Sequence, residues 1–62
     1  MITHAEALQL ARMFGAATVT GDRAITQKAN ALLNRYLAQP DHISVSELLA
    51  VAVEAADKER GI

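Results

Sequence analysis

Ile43-Ser44-Val45-Ser46-Glu47-Leu48 is the stretch on which the fold turns. Its alternation of apolar and polar residues, carried on through Val53, is the pattern of a half-buried strand. Two features outweigh it. Ser44 and Glu47 have the spacing of a capping box, in which the hydroxyl takes one orphan backbone N–H and the carboxylate takes another. Ile43 and Leu48 flank that box as a hydrophobic staple. No glycine or proline then interrupts the chain until Gly61. Glu54 and Lys58 are spaced i, i+4, while Lys58 and Arg60 suit the negative end of a helix dipole. The reading is a helix over 44–60, stopped by Gly61.

Upstream, Pro40-Asp41-His42 reads as a short turn. Before it, Ile25, Ala29, Leu32, Leu33 and Tyr36 form a stripe at i, i+4, i+7, i+8 and i+11. That spacing predicts an amphipathic helix over 21–39, capped by Thr20 or Asp22 and blocked at Pro40. At the N-terminus Thr3 and Glu6 make another capping box. Ala7, Leu10, Ala11 and Phe14 follow on one face, with Glu6, Gln9 and Arg12 opposite. Gly15 is read as the end of this first helix, over 3–15. The β-branched run Thr18-Val19-Thr20 is read as a connector with Val19 turned inward. The fold expected for residues 1–62 is therefore a single all-α domain, a small three-helix bundle completed by homodimerisation.

Composition agrees and sets bounds. The chain has 62 residues, 52% of them hydrophobic, with no cysteine and a formal net charge of −1. Thirteen residues are alanine, so the apolar fraction overstates the core that can be built. Disulfides and thiolate-ligated zinc are excluded. The longest apolar run, Leu48 to Val53, is far short of the roughly 20 residues that span a bilayer, so no membrane partner is expected. The N-terminus lacks the basic and apolar segments of a signal peptide, and the expected compartment is the cytoplasm. The Met start and Gly-Ile end suggest an intact small reading frame.

No nucleophile elbow, phosphate loop or dinucleotide fingerprint is present. His4 and Glu6 are two apart on a helix and face different ways, and Asp41-His42 lies in a turn. No catalytic residue, cofactor or metal is therefore expected, and the chain is read as a non-enzymatic protein.

Two surfaces invite a partner. The last helix is apolar over a wide arc, and Val51, Ala55 and Val53 are expected to be left over once Leu48, Leu49, Ala52 and Ala56 are covered. Ala24, Ala31 and Ala38 recur every seven residues along the second helix. Small residues so spaced either permit close approach of another helix or are simply good helix formers on a flank. These six residues are the expected self-association surface. The leading function is a small interaction or regulatory protein of the antitoxin, plasmid or phage accessory type, docking on itself and on a larger protein.

The alternative is a dimeric DNA-binding regulator. Arg23, Gln27, Lys28, Asn30, Asn34 and Arg35 supply amide and basic side chains of the kinds that read base edges and phosphates. Leu10-Ala11-Arg12-Met13-Phe14-Gly15 resembles the first helix and turn of helix-turn-helix repressors, with Ala11 and Gly15 four apart as there. The resemblance then departs: Gly21 stands where that motif has a buried Val or Ile, and Thr18-Val19-Thr20 replaces a short turn.

Overall fold

A computed structural model of the chain describes residues 1–61. Among them are three helices, α1 (His4–Thr20), α2 (Arg23–Leu37) and α3 (Val45–Arg60), and no strand. The all-α expectation holds. No helix among the described residues is long and apolar enough to cross a membrane.

The caps explain where the helices begin. The Thr3 hydroxyl accepts the Glu6 N–H at 3.1 Å, and the Glu6 carboxylate accepts the Thr3 N–H at 3.2 Å, closing the box at α1. Asp22 caps α2 by accepting the Ile25 N–H at 3.1 Å. Ser44 caps α3 by accepting the Glu47 N–H at 3.2 Å, but the expected return bond from the Ser44 N–H to the Glu47 carboxylate is not made, so the box is only half closed; Ile43 packs on the core that holds Leu48.

The Thr3 N–H, and after it the Thr3 hydroxyl, hold the Glu6 carboxyl below its usual value of 4.5. A carboxylate whose pKa is lowered by folding adds stability above its unfolded pKa and loses it as pH falls through the lower, folded value. Amide exchange at the start of α1 is therefore expected to speed up as pH drops below about 4.5, beyond the intrinsic trend. In Glu6→Gln that extra pH dependence should vanish.

The first helix departs from its expected bounds. It does not stop at Gly15 but runs to Thr20, and Gly21, at φ 78°, is the true stop. Gly15 is buried in mid-helix against α3, so it serves close packing rather than chain reversal. The β-branched residues are accommodated in the last turn, where the Thr18 hydroxyl donates to the Gly15 carbonyl at 2.7 Å and the Thr20 hydroxyl to Ala17. Val19 is half-buried there. The second helix ends at Leu37, with Ala38 as its cap, slightly short of Gln39.

α1 is the central helix. Both α2 and α3 pack along it, but they scarcely touch each other. The buried apolar set is Ala7, Ala11, Ala17, Ala29, Ala52 and Ala56 with only two larger members, Tyr36 and Leu48. A core so rich in alanine works only if the backbones approach closely. Ala7, Ala11 and Gly15 recur every fourth residue on the buried side of α1, where Ala7 and Ala11 cluster with Tyr36 of α2 and Leu48 of α3, and Gly15 meets Ala52 of α3. A Cβ built on Gly15 would lie 1.9 Å from the Ala52 carbonyl oxygen. Within the chain Ala24, Ala31 and Ala38 make no such close contact, and all three are exposed.

Candidate functional site

Because α2 and α3 straddle α1 without closing on each other, one side of the molecule is a groove. Its floor is Ala11 and Phe14; Leu33 and Leu37 form the α2 wall, and Val45, Leu48 and Leu49 the α3 wall. It continues past Gly15 and Thr18 to Val53, Ala56 and Arg60. Arg23, Thr26 and Gln27 line the same end on the α2 side, again beside Thr18. No carboxylate lines it; the only charges are Arg23 and Arg60. The stretch beside Phe14 encloses ≈ 230 Å³ and the stretch beside Arg23 ≈ 370 Å³, both open to solvent.

The expected interaction residues fall in different places. Val53 is 51% exposed at the groove. Val51, expected to be left over, is instead half-buried against the core, and with half-buried Ala55 it lines a hollow beside Arg12 on the far side of α3. Leu49, expected inside, is 60% exposed, and Val45 is 59% exposed. The apolar arc of α3 is as wide as expected, but α1 covers its Val51 edge and leaves its Val45–Leu49–Val53 edge open. α2 could have covered that edge only by meeting α3.

The amide and basic residues of α2 are also divided. Asn30 and Asn34 line the groove beside Leu33 and Leu37, and Arg23 and Gln27 continue that row. Lys28 and Arg35 are exposed about a third of the way round the helix. The six do not form one outward face.

A polar cluster at the opposite pole escaped the sequence. The Tyr36 hydroxyl accepts the Ile43 N–H at 2.7 Å and is hydrogen-bonded to His4 Nδ1, while His4 Nε2 lies 3.5 Å from Asp41 Oδ2. The Ile43 N–H can only donate, so the Tyr36 oxygen is the acceptor in that bond. His42 packs edge-on against the same ring. Alongside, Gln39 grips the Ile2 backbone through both amide atoms, at 2.9 and 3.0 Å. The order Tyr36–His4–Asp41 resembles a catalytic relay, but Tyr36 is 0% exposed, so its hydroxyl is closed off from solvent. The cluster ties the start of α1 to the end of α2 and to the chain entering α3. Its members are up to 37 residues apart in sequence, and no local spacing signals it.

Among the described residues no group of three or more His, Cys, Asp or Glu side chains could hold a metal ion. Compared with protein-family models, curated proteins and solved structures, the chain matches none.

Proposed function

We propose that this chain is a non-enzymatic helical interaction protein that self-associates and docks a helix of a larger protein in the groove between α2 and α3. The observation that supports this is the groove itself: an open apolar channel floored by Phe14, walled by leucines and valines, and free of carboxylates among its lining residues. Amphipathic helices lay their apolar face into such channels. The row Asn30, Asn34 and Gln27 along one wall can take up hydrogen bonds from the polar edge of the incoming helix, and Arg23 favours an acidic residue at that end, Arg60 being paired with Asp57. An exposed apolar strip on so small a protein is typical of an interaction site.

The test uses Asn34→Trp, which obstructs the groove from an exposed position without entering the core. Affinity capture from the native host, quantified by mass spectrometry, is expected to recover a partner with the wild type and to lose it at least about tenfold with Asn34→Trp. Equal recovery by both, or no recovery by either, would set the docking reading aside. Circular dichroism should show both baits equally helical.

A further inference from the structure

The two walls of the groove are held unequally. α3 is fixed to α1, because the Gly15 backbone meets that of Ala52 while Ala7 and Ala11 cluster with Leu48. Packing that close gives neither helix room to shift, so α1 and α3 behave as one body. α2 is held at one end only. Over residues 29–37 it has two buried members, Ala29 and Tyr36, with Leu32, Leu33 and Leu37 half-buried beside them. Over residues 23–28 none is buried and only Thr26 is half-buried; Ile25, the largest apolar residue there, is 39% exposed.

The polar contacts divide in the same way. α2 ends at the pole where α1 and α3 begin. There the Tyr36 hydroxyl bonds to the Ile43 N–H and to His4, and Gln39 grips Ile2. At its start the side-chain hydrogen bonds stay within the first turn: Asp22 accepts the Ile25 N–H, and the Thr26 hydroxyl donates to the Asp22 carbonyl. Beside that turn lies the hollow of ≈ 370 Å³ lined by Thr18, Gly21, Arg23, Thr26 and Gln27. Gly21, the joint with α1, has no neighbour within 4 Å of where a side chain would begin. A segment with few buried contacts opens at low cost, and one dense anchor beside it makes that opening a rotation.

We infer that α2 is a hinged wall: it pivots at Tyr36 while α1 and α3 move as one body, so that the groove widens and narrows at its Arg23 end. The hinge belongs to the free chain. Its use rests on the docking reading above, to which it adds that the incoming helix is admitted at the Arg23 end.

The absence of native cysteine lets exposed pairs be replaced and spin-labelled. Lys28→Cys with Glu59→Cys spans the open end, and Arg35→Cys with Glu47→Cys spans the pole. Gln9→Cys with Glu54→Cys spans α1 and α3; all six positions are exposed. By pulsed dipolar EPR the distance distribution at the open end is expected to be at least about twice as broad as at the other two. Equal widths, or the greatest width at the pole, would overturn the hinge. Tyr36→Phe should broaden the pole pair and leave the α1–α3 pair unchanged. An unchanged pole width in that variant, folded by circular dichroism, would overturn Tyr36 as the pivot. Thr18→Cys joined to Gln27→Cys by a short bis-maleimide should narrow the open end and lower capture of the partner recovered by the wild type several-fold. Capture unaffected by the joint would overturn admission at the Arg23 end. Expected widths with no capture by the wild type would leave the hinge standing and set aside the docking reading alone.

Discussion

Replacing Gly15 with alanine is expected to lower the melting temperature by about 10 °C, although alanine is the better helix former. Gly15 lies inside α1, not at a turn, so propensity alone favours alanine by about 1 kcal/mol. Opposed to this is the Cβ, which would stand 1.9 Å from the Ala52 carbonyl oxygen and 2.7 Å from its carbon. Both are backbone atoms, so no side-chain rotation relieves the clash and α3 must move away from α1. Overpacking of this kind costs about 1–3 kcal/mol or more. A domain this small has only about 3–9 kcal/mol in total. The two effects differ in sign, which makes a thermal melt followed by circular dichroism decisive. A raised melting temperature would mean that α1 and α3 are not in close contact at Gly15. Gly15→Val should be largely unfolded at room temperature.

Tyr36→Ala should be comparably damaging. Tyr36 is the largest fully buried side chain, clustered with Ala7, Ala11 and Leu48, and its loss would leave a cavity at the centre of that cluster. Truncating a buried aromatic costs about 3–5 kcal/mol, most of the stability available here. Tyr36→Phe separates ring from hydroxyl. It keeps the packing but leaves the part-buried Ile43 N–H without its acceptor, at a cost of about 1–3 kcal/mol. His4→Ala should cost less, since His4 is half exposed and water can replace it. The double variant Tyr36→Phe with His4→Ala should be more stable than the sum of the two losses implies, because both remove the same bond. Full additivity in urea denaturation would show that the hydroxyl and the imidazole act independently.

What the sequence reveals and what it hides divide along a physical line. Local signals were sufficient where the chain interacts with itself within one turn. Thr3 with Glu6, and Ser44 with Glu47, mark the starts of α1 and α3, and Gly61 adopts the left-handed stop its position implies. Gly15 was misread because a glycine four residues after Ala11 has two uses. It can end a helix, or it can admit a neighbouring backbone, and only the presence of Ala52 across the contact distinguishes them. The run Thr18-Val19-Thr20 reads from the sequence as a connector, yet the Thr18 and Thr20 hydroxyls bond back to carbonyls in the preceding turn and the helix continues through it.

The interaction surface was half legible for a similar reason. Helical spacing gives the width of the apolar arc on α3, but not which edge a neighbour covers. That depends on the direction from which α1 docks, and α1 docks on the Val51 side. The division of the α2 amides follows from the same geometry, since a groove exists only where α2 and α3 fail to meet. The tie between Ile2 and Gln39, and that between His4 and Tyr36, join residues more than 30 apart.

The most direct test of an open groove closed by association is thiol reactivity measured against protein concentration. Single cysteines at positions 49 and 53 would report on the groove, one at 31 on the exposed flank of α2, and one at 52 on the α1–α3 contact. At submicromolar concentration the cysteines at 49 and 53 are expected to react about as fast as that at 31, while that at 52 lags at least about tenfold. At about 100 µM the reactions at 49 and 53 should slow several-fold and that at 31 should not. Slow reaction at 49 and 53 at every concentration would show that the groove is already closed within one chain, and equal slowing at 31 would place the interface elsewhere.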